Sequence, residues 1–220
     1  MLVLALDTAT PAVTAGLVEL DPDGAIRTLA TRVTVDARAH GELLTPHTRE
    51  VLAEAGRSFG DIDALVCGCG PGPFTGLRAG MVTAAALGQA LNRPVYPVST
   101  LDGIAADVGD ARLLVVTDAR RREVYWAQYE GGQRIAGPEV GPAAGLAGLD
   151  VDLAAGQGAE IYADVLGFPV AEQRFPSPAG LVRAAGGMLL DSAPPPPLTP
   201  LYLRRPDAVE PGARKRVSRA

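Results

Sequence analysis

The residues best placed to do chemistry close the opening apolar run of the chain, where Asp7 is followed by Thr8 and Thr10. A carboxylate at such a turn, with hydroxyls beside it, could position a metal-bound nucleotide. The simpler reading is preferred: Asp7 and Thr8 order the turn through side-chain-to-backbone bonds. Two histidines, His40 and His47, lie seven residues apart and share a helix face if the helix begins early enough. Zinc-peptidase motifs need a pair four apart with an adjacent glutamate, and this chain has neither. No Gly-x-Ser-x-Gly elbow surrounds any serine, and the single lysine, Lys215, closes off lysine chemistry.

A second candidate is the glycine-rich stretch Gly68-Cys69-Gly70-Pro71-Gly72-Pro73-Phe74-Thr75-Gly76-Leu77-Arg78-Ala79-Gly80. An apolar β-type run precedes it and a small-residue helical run follows. Such a turn often aims the unpaired N–H groups of a helix start at an anion. Spacing excludes the familiar nucleotide loops. Gly76 is followed by Leu77 and Arg78, not the Lys-Ser/Thr of a P-loop, and Thr75 occupies the third glycine position of a dinucleotide fingerprint. A packing turn and a ligand or partner surface both stay open.

The elements that must position these residues follow from pattern. Residues 2–6 form a buried strand, 13–20 a second, and Asp21-Pro22-Asp23-Gly24 turns into a third over 26–35. Residues 42–55 carry Leu43, Leu44, His47, Val51 and Leu52 at helical spacing, with Gly56 as a stop. A strand over 62–67, the glycine loop, a helix to Leu91 and a strand over 95–98 then alternate as α/β units do. Further on, strands are expected over 112–117 and 124–129, loops around one short strand over 137–158, and a helix over 179–190. The Pro194-Pro195-Pro196-Pro197 run should be extended. The chain divides into residues 1–100, 101–203 and a basic, disordered tail, 204–220, with Arg214, Lys215, Arg216 and Arg219.

At 220 residues and 47% hydrophobic content the chain can bury a sizeable core. A net charge of −5 makes the body as a whole unattractive to nucleic acid. Cys67 and Cys69 alternate on one β-type run and so point to one side, which suits buried thiols better than metal or redox use. Asp7 interrupts the short apolar opening, no basic n-region precedes it, and no stretch is long enough to span a bilayer, so the expected compartment is the cytosol.

The glycine loop resembles the Gly-Pro-Gly-Ser-Phe-Thr-Gly-Leu-Arg-Ile-Gly signature of the TsaB (YeaZ) family, with Pro73 for the serine and Ala79 for the isoleucine. Asp118-Ala119-Arg120 with Glu123-Val124-Tyr125 resembles that family's Asp-Ala-Arg…Glu-Val-Tyr motif. Pro200-Leu201-Tyr202-Leu203-Arg204 resembles its Pro-x-Tyr-x-Arg element. The likeness is dense over residues 1–130 and thinner afterwards. It implies a fold of two ribonuclease-H-like, actin-like (ASKHA) subdomains, the first a mixed five-stranded sheet flanked by helices and the second smaller. Three antiparallel strands followed by helix, strand, helix and strand is that order too.

The resemblance further implies a non-catalytic subunit in tRNA threonylcarbamoyladenosine synthesis. It would pair with a TsaD-like transferase, recruit a TsaE-like ATPase, and form a homodimer when alone. It would meet tRNA only indirectly and have no cofactor of its own, with ATP and metal on the partners. The implied interface is a four-helix bundle of the first two helices, for which the candidate residues are His40, Leu43, Leu44, His47, Val51, Gly76, Arg78, Gly80, Met81, Ala84, Ala85 and Gly88. The alternatives are an actin-like ATP-dependent phosphotransferase using Asp7, an M22-type peptidase homologue, or an oligomeric module whose tail binds RNA.

Overall fold

A computed structural model describes residues 1–204; the basic tail expected beyond Arg204 lies outside the described residues. Every residue of β1 (Leu2–Asp7) is buried, because the strand is covered on both faces. Leu2, Leu4 and Leu6 enter one core, and Val3 and Ala5 enter another on the opposite side. A continuous apolar run, not an alternating one, is the consequence. β2 (Ala12–Leu20) and β3 (Ile26–Val35) continue as an antiparallel meander, turned where Gly24 takes φ +88°. β4 (Ala64–Gly68) and β5 (Val95–Val98) join β1 in parallel, giving the order β3-β2-β1-β4-β5.

Two helices, α1 (His40–Glu54) and α2 (Phe74–Leu91), cover one face of this sheet. α1 begins two residues earlier than the pattern indicates, and α2 begins inside the glycine-rich stretch, at Phe74. α1 therefore includes His40, which shares its inner face with His47. α3 (Thr100–Val108), absent from the sequence reading, leads to the second sheet. There β6 (Leu113–Asp118), β7 (Glu123–Glu130) and β8 (Gln133–Pro142) form another meander, and β9 (Leu153–Ala155) pairs with β6 in parallel. Its order, β8-β7-β6-β9, repeats that of the first four strands. The expected loops over 137–158 are corrected at their start, where the first residues complete the edge strand β8; the one short strand expected among them is Leu153–Ala155.

Two short helices, α4 (Gln157–Ile161) and α5 (Ala163–Leu166), precede α6 (Pro178–Leu190). α6 starts sharply because Ser177 Oγ accepts from Gly180 N at 2.9 Å and Pro178 occupies the first turn. Asp107 of α3 holds this start, accepting from Ser177 Oγ at 2.6 Å and from Ser177 N at 2.8 Å. Leu181, Val182, Ala185 and Leu189 then pack on the far face of the first sheet. Gly16 of β2 makes room for that crossing, since a Cβ there would lie 2.2 Å from Pro178 Cγ. The later half of the chain therefore supplies one of the two layers covering the first sheet.

Candidate functional site

Asp7 ends β1 and is wholly enclosed, at 0% exposure. Its Oδ2 accepts a 2.6 Å hydrogen bond from the Thr100 hydroxyl, and its Oδ1 accepts from Ala9 N at 3.0 Å. Burial pushes its carboxyl up to about 6, against the opposing bonds from Thr100, Ala9 and Thr10. Thr8 staples the same turn to α2: its hydroxyl donates to Gly76 O at 2.7 Å and accepts from Gly80 N at 2.9 Å. Thr10 Oγ1 accepts from Ala12 N at 3.2 Å, and Thr10 O accepts from His40 Nε2 at 2.8 Å, which requires a proton on Nε2. The side chains of all three residues proposed for nucleotide or turn roles are thus engaged in bonds within the turn, to α2 or to Thr100.

The glycine loop is organised around the same turn. A Cβ on Gly72 would lie 1.9 Å from Ala9 O, one on Gly76 would lie 2.7 Å from Thr8 O, and one on Gly80 would lie 2.5 Å from Thr8 Oγ1. These glycines serve close approach of α2 to the turn. Cys67 and Cys69 are buried free thiols of the first core, and burial pushes Cys69 up to about 11 and Cys67 well above its ordinary value.

The proposed partner face needs correction. Leu44, His47, Val51, Gly76, Gly80, Met81, Ala84 and Gly88 are buried within this chain, as is His40. The small residues of α2 let that helix approach its own sheet, the Thr8 turn and α1; a Cβ on Gly88 would lie 2.3 Å from Val95 Cγ2, and one on Gly76 3.0 Å from His40 Cε1. His47 finds its partner inside, with Nε2 2.9 Å from Thr34 Oγ1, while Nδ1 is buried without a hydrogen bond and 4.0 Å from Glu50 Oε2. Leu43 is half-buried, and of the candidates only Arg78 and Ala85 are exposed. The outward stripe of α2 is instead Phe74, Arg78, Val82, Ala85, Ala86 and Gln89, with Val82 66% exposed. On α1 the outward residues include Thr45, Pro46, Arg49 and Ala53.

At its N-terminal end this outer face meets the end of the described chain. Phe74 and Tyr202 stack with centroids 5.0 Å apart, Arg78 lies 3.7 Å over the Phe74 ring, and Arg78 Nε donates to Tyr202 Oη at 2.7 Å. Leu201 N donates to Cys69 O at 2.9 Å, and Arg204 bonds Ala119 O and lies 3.6 Å from Glu123. The segment from Leu198 to Arg204 therefore straps the first sheet to the β6–β7 turn. Beneath it a cavity of about 510 Å³ separates the two sheets. Asp7 does not line it; Thr10, His40, Phe74, Thr117 and Arg120 do. Among the described residues no three His, Cys, Asp or Glu side chains gather as a possible metal-ligand set, and no helix is long and apolar enough to cross a membrane.

Two meanders of the same order, each extended by a parallel strand and layered with helices, define a protein of the ribonuclease-H-like, actin-like (ASKHA) class. Residues 29–181 match the family model described as "TsaD: tRNA N6-adenosine threonylcarbamoyltransferase". The chain belongs to that family and, within it, to the TsaB (YeaZ) group. The solved structure of YeaZ from Pseudomonas aeruginosa superposes with a TM-score of 0.75 at 29% identity, covering 92% of this chain and 99% of that one. The tRNA threonylcarbamoyladenosine biosynthesis protein TsaB of Escherichia coli is 39% identical over 134 residues, 59% of this chain and 55% of that protein. An uncharacterized protein of Mycobacterium tuberculosis is 55% identical over 210 residues, 94% of this chain and 93% of its own length.

The sequence reading missed the outward stripe through Val82 and Ala86, the Phe74–Tyr202 stack, and the unpartnered hydroxyl of Thr117. A helical wheel drawn outward from Arg78, the one charged residue of α2, would have found the first.

Proposed function

We propose that this chain acts in the synthesis of threonylcarbamoyladenosine in tRNA as a non-catalytic subunit. It pairs with a TsaD-like transferase, recruits a TsaE-like ATPase, and self-associates when alone. ATP and metal sit on the partners, tRNA is met only through them, and the compartment is the cytosol. The names of the TsaB relatives support the pathway. The observation that carries the subunit role is the enclosure of Asp7: the carboxylate at the first turn is fully buried and bonded to Thr100 and Ala9. That arrangement disfavours a phosphotransferase built on Asp7. The partner-binding surface is assigned to the outward residues of α1 and α2, where Val82 and Phe74 leave apolar area exposed.

The test is reconstitution with the transferase and ATPase of the same organism. Modified adenosine should appear only when all subunits are present. Its appearance at undiminished level without this chain would contradict the proposal.

A further inference from the structure

We propose that Phe74 and Arg78 of α2, with Tyr202 of the C-terminal strap, form a socket for a carboxylate side chain presented by an apolar helix of the protein partner. The proposal rests on the outward face of α1 and α2 being the partner surface, and it extends that surface onto the strap. The Pro200-Leu201-Tyr202-Leu203-Arg204 element thereby gains a role beyond tying the two sheets together.

Phe74, Arg78 and Val82 follow one another at four-residue spacing and so share the outward stripe of α2. Arg78 is the one charged residue in this helix of 18. Its guanidinium carbon lies 3.7 Å from the centroid of the Phe74 ring and 5.8 Å from that of Tyr202, and its Nε donates to Tyr202 Oη at 2.7 Å. The two rings, stacked with centroids 5.0 Å apart and planes inclined by 26°, hold the guanidinium in one place.

No internal ion pair accounts for that placement. Among the described residues no carboxylate lies within salt-bridge distance of Arg78 and neither of its Nη groups makes a hydrogen bond, whereas Arg32, Arg112 and Arg134 each reach an acidic side chain. With Nε occupied, the Nη edge is left for a partner, and a planar fork of donors matches a carboxylate. The apolar stripe beside it, with Val82 66% and Phe74 43% exposed, fits a helix laid along α2 and gives a polyanion nothing to bind.

The strap makes the socket rigid. Leu198 and Leu201 pack against the first core, Leu201 N donates to Cys69 O at 2.9 Å, and Arg204 is bonded to Ala119 O, so Tyr202 is fixed from both sides while remaining 41% exposed. A stacked pair of rings and a pinned arginine have little side-chain freedom left to lose, which lowers the cost of association. Tyrosine and arginine are also the residue types that dominate the energetics of protein interfaces. A strap that served only to tie the sheets would need Leu201 and Arg204 but would leave Arg78 replaceable.

The test is calorimetric titration of the full chain with the TsaD-like transferase of the same organism, at low and high salt. Arg78→Gln should weaken association about tenfold or more at an unchanged melting temperature, and should flatten the salt dependence seen with the parent, because the ion pair is gone. Arg78→Lys, which keeps the charge and loses the fork, should fall between the two. Tyr202→Phe, which keeps the ring and loses the bond to Nε, should weaken association several-fold. Affinity unchanged by Arg78→Gln in folded protein overturns the socket, as does a salt dependence parallel to the parent's. A variant that loses affinity for tRNA while binding the transferase undiminished also overturns it, by making a polyanion the occupant. Val82→Glu with Ala86→Glu keeps the two readings apart. If that pair abolishes association and Arg78→Gln leaves it unaltered, the helical face stands and the socket falls; if neither alters it, both fall.

Discussion

The Thr100 hydroxyl donates a 2.6 Å hydrogen bond to Asp7 Oδ2, tying the end of the first strand to the first residue of α3. Gly68 is what admits it: a Cβ there would lie 1.7 Å from Asp7 Oδ2 and 3.0 Å from Thr100 Oγ1. A carboxylate placed where an α/β fold could hold a metal-bound nucleotide is instead a buried brace between the two halves of the molecule.

That brace has a pH signature. The folded carboxyl titrates at about 6 against 3.8 for the ordinary group, so between about pH 4 and 6 the unfolded chain has released a proton the folded chain still holds. The stability Asp7 contributes is complete below pH 4 and is lost as pH rises through 6, by about 3 kcal/mol in all. Asp102 and Asp107 are also raised by burial, so the contrast is drawn between parent and variant. Denaturant midpoints across pH 4–7 should fall less steeply for Asp7→Asn than for the parent; parallel curves would contradict the assignment.

Gly76→Val should destabilise the fold by about 1–3 kcal/mol through overpacking. The new Cβ would meet Thr8 O at 2.7 Å and His40 Cε1 at 3.0 Å, one of them backbone and the other a ring held by Thr10 O. A melt coincident with the parent's would show that the turn and α2 can part without loss.

The outward face separates from the inward one by substitution. Val82→Glu with Ala86→Glu should leave the circular dichroism melt near the parent's, because both residues are exposed in the single chain. It should nevertheless yield a monomer and abolish capture by a TsaD-like partner, since unpaired charges would have to be desolvated in the interface. His47→Glu acts differently: His47 is 7% exposed and bonded to Thr34, so that variant should lose stability before any association is measured. A stable His47→Glu protein, or a Val82→Glu, Ala86→Glu pair that still associates, would place the interface elsewhere.

The first sheet was legible because β1 is buried on both faces and its run is uninterrupted, and because the turn at Gly24 needs the positive φ that glycine supplies. α3 was not, since nine residues with Gly103 inside and no side-chain cap leave little local signal. β8 was hidden by Gly137, Pro138 and Pro142, which an edge strand tolerates because one side of its ladder is free. The inward and outward faces of α2 were not told apart because small and apolar residues lie on both, so spacing did not tell which glycines answer to the Thr8 turn and which to another helix. The bonds of Thr8 to Gly76 and Gly80 span 68 and 72 residues and have no local signature.

The subunit role is tested most directly by tRNA modification with Asp7→Asn in the reconstituted system. Asparagine keeps its Oδ1 as acceptor for the Ala9 bond and can donate from Nδ2 to the Thr100 oxygen, but cannot act as a carboxylate toward metal or nucleotide. Modified adenosine at near-parent level is the predicted result. A loss of several orders of magnitude in a variant that melts like the parent would contradict it and make Asp7 a catalytic residue.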